Sequence, residues 1–224
     1  MDFDLSDELA DLQQSVRRLA RDKVRPRARE IDRTGEYPQD LFEAFRDAGL
    51  LGLCLPESLG GSGAGILGLT LAIEEVAKYS NTAALMLLLT RLPTGPVLIA
   101  GTEAQQQRYL PGIADGTVRA AFGLSEPQAG SDVMGMRTRG TPDTTTPGGW
   151  VLNGTKCWMS GVREADWYTV FAKTSEPSSR AHDSVTAFIR CAMKHRNQAG
   201  SHCRARTPCT SSEAPASPPP WAPR

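Results

Sequence analysis

Ala121-Phe122-Gly123-Leu124-Ser125-Glu126-Pro127-Gln128-Ala129-Gly130-Ser131-Asp132 begins as a strand and ends as a turn rich in hydroxyls. Phe122 and Leu124 alternate with small residues, the pattern of a half-buried strand. Pro127 removes a backbone donor and stops a sheet ladder. Gly130 opens backbone angles closed to other residues. Ser125, Ser131 and Asp132 leave hydrogen-bonding groups where strand gives way to loop. A strand end presenting N–H groups and hydroxyls suits a flat heterocycle rich in nitrogen and oxygen. An ordinary β-turn accounts for the same residues equally well.

A second stretch shifts that balance. Gly149-Trp150-Val151-Leu152 reads as a strand and runs into Asn153-Gly154-Thr155-Lys156-Cys157-Trp158-Met159-Ser160-Gly161. Asn-Gly between two strand-like runs predicts a hairpin with 156–159 as its second arm. Together the two stretches resemble the acyl-CoA dehydrogenase family of flavoenzymes. That family carries T-E-P-x-A-G-S-D followed, after a short β excursion, by N-G-x-K-x-W-I-T. The order and spacing agree, and the resemblance covers roughly the first 190 residues.

The resemblance implies an α+β fold, an N-terminal all-α domain (1–115) followed by a small antiparallel β domain (116–190, incomplete here); residues 191–224 are a low-complexity tail that the resemblance does not cover. It also implies FAD as cofactor, lined by Phe122, Leu124, Ser125, Gly130 and Ser131 and by Trp158, Met159 and Ser160. Backbone at Leu124 and the Ser125 hydroxyl would face the pyrimidine edge, where donors stabilise charge building on a ring that accepts hydride. Trp158 would pack against the flavin. Ser160 stands where the family has a threonine bonded to N5, and Ser131 would touch the acyl-CoA ligand. From the residues alone, a core aromatic at Trp158 and a plain turn at Ser160-Gly161 are the lesser alternatives.

The implied reaction is α,β-dehydrogenation of an acyl-CoA thioester. A glutamate takes the α-proton, the β-hydride goes to the flavin, and electrons pass to an electron-transfer flavoprotein. In the family that glutamate, part of the FAD site and the main subunit interface of a homo-oligomer lie in a C-terminal helical domain with no matching positions here. No catalytic residue is therefore assigned, Glu126 stays a motif residue, and the chain as written is expected to be incomplete and inactive. A flavin oxidase or monooxygenase shares these motifs, and a non-catalytic β module remains an alternative.

Lys+Arg and Asp+Glu number 25 each, so no net charge points to nucleic acid or an anionic membrane. The acidic start carries no signal or transit pattern, and the apolar run 83–89 is too short to span a bilayer. A cytoplasmic protein with reduced thiols is the expectation. Beyond residue 190 periodicity stops. Six of the sixteen prolines fall between Pro208 and Pro223, a composition that predicts disorder and suggests a shifted frame or truncated gene near codon 190. Cys191, His195, His202, Cys203 and Cys209 fit no closed zinc spacing, so no metal is expected.

Leu5, Leu9, Leu12, Val16 and Leu19 form one helical stripe, capped by Ser6 and ended or kinked by Pro26. Pro38 opens a second helix with Leu41, Phe42 and Phe45 inward, and Gly49 stops it. Gly60-Gly61-Ser62-Gly63-Ala64-Gly65 lacks the Gly-Lys-Ser/Thr ending of a phosphate loop and reads as a flexible approach to a third helix, 66–77. Adjacent Glu74 and Glu75 point different ways and suggest a wet face. A buried helix over 81–100 should break at Pro93 and Pro96, and 103–110 is another. Apolar faces near Leu9, Phe45 and Leu87 are expected to need further helices. Strands are predicted near 119–124, 135–140, 150–152, 156–159, 167–173 and 184–189.

Overall fold

Ser6 caps the first helix by accepting the Leu9 N–H at 3.4 Å, and α1 runs Asp7–Leu19 with Val16 buried. In the computed structural model, which describes residues 4–146, 148–175, 184–191, 203–205 and 208–209, Pro26 does not end this helix. A π turn, Ala20–Val24, intervenes, and the Arg25 N–H reaches back five residues to Ala20. The widened turn absorbs the missing proline donor, and α2 continues over Arg25–Thr34 until Gly35 at φ 66°.

Helix α3 (Gln39–Asp47) buries Leu41, Phe42 and Phe45, and Gly49 follows at φ 70°. Helix α4 spans Gly65–Ala77 and α5 spans Asn81–Leu88 behind a Ser80 cap. The break at Pro93 holds, and α6 (Thr94–Ala100) carries Pro96 in its first turn, where no N–H is needed. A Thr102–Gln105 capping box starts α7 (Glu103–Tyr109), and α8 (Pro111–Ala114) adds one turn.

The glycine-rich stretch is bonded rather than flexible. The N–H groups of Gly61, Ser62, Gly63 and Gly65 donate to carbonyls between Gly52 and Pro56, which leaves no cradle for phosphate. Phe45 and Leu87 are fully buried within this helical unit, so the expected need for further helices there is not met. Burying each side chain contributes about 1.5–3 kcal/mol. Among the described residues, the large apolar side chains left open are instead Ile66, Leu67, Leu92 and Ile99 here, and Trp158 and Val162 beyond.

The sheet is mixed, not antiparallel as expected. Strand β1 (Ala120–Gly123) lies parallel to β4 (Trp167–Lys173), while β2 (Arg139–Pro142) and β3 (Trp150–Asn153) form an antiparallel pair. β2 also meets β4 in parallel, and β5 (Val185–Cys191) runs antiparallel to β4. Period-two burial reports which face is covered and says nothing of strand direction. The predicted strand 135–140 is shifted; 3₁₀ helix Val133–Gly135 precedes β2. Of the tail, the structure describes Cys191 at the end of β5, Cys203–Ala205 (β6) beside β3 and Pro208–Cys209 (β7) beside β5. The expectation of disorder, with His195 and His202, otherwise lies outside the described residues.

One apolar cluster joins the two parts: Leu55, Leu59, Val97 and Leu110 pack on Ala120, Trp167 and Ile189. Thr169 donates to the Pro93 carbonyl at 2.7 Å, and the Arg119 guanidinium lies 4.0 Å from the Phe42 ring centre.

Candidate functional site

β1 delivers Leu124 and Ser125 to the end of the sheet. The chain then closes a tight turn in which Glu126 and Ala129 exchange backbone bonds of 2.9 and 3.0 Å across Pro127-Gln128. Asp132 caps the next turn, accepting the Gly135 N–H at 3.1 Å. Phe122 meets Phe171 edge-on at 5.3 Å, so its ring is engaged in packing while its backbone belongs to the strand.

The second segment does not form the predicted hairpin. Gly154, at φ 156°, is pressed against Thr138 and turns the chain out of the sheet. The hairpin is β2–β3, and 156–159 is an irregular crossing segment rather than a strand. It passes the end of β1, where the Cys157 N–H donates to the Ser125 carbonyl at 3.0 Å. Met159 packs closely over Gly123 at that crossing, where a Cβ would sit 3.1 Å from Met159 Cε and the methionine would have to shift slightly.

The two segments that the sequence singles out are therefore neighbours. Trp158 is 89% exposed and sits at φ 58°, a conformation uncommon for a bulky residue. It is not the core aromatic that its residue type allows. The hydroxyls of Ser125, Ser131 and Ser160 make no hydrogen bond among the described residues. Gly130 is exposed with open space where a side chain would stand. An indole held at a rim beside unpaired hydroxyls provides a stacking face and polar contacts for a planar ligand.

Beneath the rim lies a polar device that the motifs do not announce. Lys156 Nζ bonds Glu126 Oε1 at 2.8 Å and the Leu124 carbonyl at 2.9 Å. Glu126 also accepts the N–H groups of Arg137 (2.6 Å) and Thr138 (3.0 Å), the Thr138 hydroxyl, and Gln128 Nε2 at 2.7 Å. Burial pushes the Glu126 carboxyl up, but the Arg137 N–H, the Lys156 ammonium and the Thr138 donors outweigh it and hold it at about 2. It is a fixed carboxylate, not a proton shuttle. Each residue was visible inside its motif; their pairing, 30 residues apart, had no local signal.

A groove of about 650 Å³ opens beside Ser160, between the 160–164 loop and the helices, with Thr82, Leu85, Met86 and Leu89 on its α5 wall. At its inner side Tyr37, Phe42, Met86 and Arg119 line a smaller space of about 30 Å³. Burial outweighs the nearby Arg119 charge and raises the Tyr37 hydroxyl to about 12, so it is neutral at ordinary pH. Among the described residues no cluster could hold a metal ion, and no helix is long and apolar enough to cross a membrane.

Residues 6–117 match the acyl-CoA dehydrogenase N-terminal domain, and residues 121–214 match the acyl-CoA dehydrogenase middle domain. A short-chain specific acyl-CoA dehydrogenase of Megasphaera elsdenii is 38% identical over 84% of this chain and 49% of its own. The solved butyryl-CoA dehydrogenase of the same organism superposes with a TM-score of 0.77 at 32% identity, covering 94% of this chain and 58% of that one. A Bacillus anthracis acyl-CoA dehydrogenase complexed with FAD gives 0.73 at 27% identity, over 84% of this chain and 31% of that one. The chain spans about half the length of the curated relatives it matches.

Proposed function

The chain belongs to the acyl-CoA dehydrogenase family, and from that premise we propose that it holds FAD against the rim formed by Ser125 and Trp158–Ser160 and takes an acyl-CoA in the adjoining groove. Bound there, the flavin would supply the hydride acceptor for dehydrogenation of the acyl thioester. The chain's own residues hold and orient. The Leu124–Ser125 strand end offers backbone and hydroxyl contacts to the pyrimidine edge, and Trp158 offers a flat apolar face. Met159 backs that face through Gly123, and Ser160 presents a hydroxyl where the rim meets the groove. Gly130, exposed on the following turn, would also line the cofactor, and Ser131 beside it would meet the thioester ligand. The apolar α5 wall would exclude water from the acyl chain. No residue of this chain is assigned the role of proton-abstracting base. Electrons would leave to an electron-transfer flavoprotein, in a cytoplasmic setting.

The observation that carries this reading is the exposed, left-handed Trp158 one residue beyond the Cys157–Ser125 backbone bond. Titrating FAD with the purified chain should quench both flavin and tryptophan fluorescence. Trp158→Ala should weaken binding about tenfold, the scale of one aromatic stacking contact. No quenching, or equal affinity in the variant, would refute the assignment.

A further inference from the structure

We infer that Lys156 and Glu126 are positioning residues, whose buried ion pair sets the distance and orientation between the two segments that present Ser125 and Trp158. The inference rests on the flavin reading only for what is being positioned.

A single ammonium spans both segments. It binds the carboxylate that anchors the 126–129 turn and, at 2.9 Å, the carbonyl immediately before Ser125. The next residue, Cys157, adds its N–H bond to Ser125, and the one after is Trp158 at φ 58°. A bulky residue persists in that conformation only where its surroundings over-determine it. The other end of the pair is equally held, because Glu126 accepts from Arg137, Thr138 and Gln128. The Lys156 and Glu126 side chains are only 6% and 2% exposed, so the pair is largely shielded from water. An apolar pair of similar volume would serve stability as well. It would offer no donor to Leu124, and that bond is what ties the ion pair to the rim.

The test uses the whole chain and two half-buried thiols, Cys157 at the crossing and Cys54 against the helical core. Iodoacetamide labelling, read peptide by peptide by mass, gives the ratio of their rates. Lys156→Met should raise the Cys157:Cys54 ratio about tenfold and weaken FAD binding by a similar factor, the scale of one lost charged hydrogen bond. The double variant Lys156→Met/Glu126→Gln strands no charge, so its thermal midpoint should return toward wild type. Its labelling ratio and FAD affinity should remain shifted. A double variant with wild-type ratio and affinity would overturn the inference, as would a single variant in which both thiols speed up together; either result assigns the pair to stability alone. If the wild-type chain binds no FAD, the labelling ratio still decides the inference, and only the flavin reading falls.

Discussion

Two glutamates are buried among the described residues, and they are held in opposite ways. Glu75, on α4, is 1% exposed, but its partners Arg17 and Lys78 reach in from side chains that are 56% and 45% exposed. Glu126 meets a lysine that is itself enclosed. Each carboxyl is drawn below the usual range, Glu75 by the Arg17 guanidinium despite its burial, Glu126 against its burial by several donors. The difference lies in what solvent can repair. Water can replace either partner of Glu75, so that contact staples α1 to α4 and little else. Lys156 is enclosed with its carboxylate and also holds the Leu124 carbonyl, so the second pair couples fold stability to the geometry of a rim that faces outward.

The sharpest way to break this comparison is Lys156→Met. It strands a buried carboxylate and should cost about 3–5 kcal/mol, read in urea by the fluorescence of Trp150, Trp158 and Trp167, all in the sheet region. A loss no larger than that of an exposed pair would erase the distinction. Acid should act almost as strongly. Glu126 is depressed to about 2, so its contribution is complete above the unfolded value of roughly 4.3 and is lost as pH falls toward 2, about 3 kcal/mol in all. Glu126→Gln should flatten that part of the acid-unfolding curve; an unchanged curve would show that the carboxylate is not held as described.

Glu75→Gln should cost less, about 1–2 kcal/mol, read by helical circular dichroism, because Arg17 and Lys78 simply return to water. The smallest effect on stability is expected at the rim itself. Trp158→Gly relieves a left-handed backbone and should leave stability unchanged or raise it by up to about 1 kcal/mol, while FAD affinity falls. A clear loss of stability there would mean that the indole packs in the fold rather than waits for a ligand.

Much of this was legible beforehand. Helix periodicity and caps located α1, α3 and α4, and strand 167–173 falls where β4 lies. The two motifs picked out the residues now proposed for the rim. Several readings needed correction, and four of them for related reasons. Pro26 was expected to end or kink a helix, and a π turn downstream of α1 accommodates it instead of an end. Residues 156–159 alternate like a strand, yet Gly154 and the Lys156 anchor carry them across the sheet end. Glu75 sits beside a wet Glu74, and only the approach of α1 encloses it. The strands alternate in burial, which left the parallel pairing of β1 with β4 unread.

The sequence by itself determined the order of helices before sheet, the family, and the identity of the residues at the rim. These depend on neighbours within a few positions, where periodicity, capping and turn chemistry act. Only the tertiary structure decided that Ser125 and Trp158 share one edge, that Trp158 faces outward, and that Lys156 and Glu126 lock the two segments together. Those contacts close over 30 residues or more, and burial that removes the competition of water arises only when the whole chain has packed.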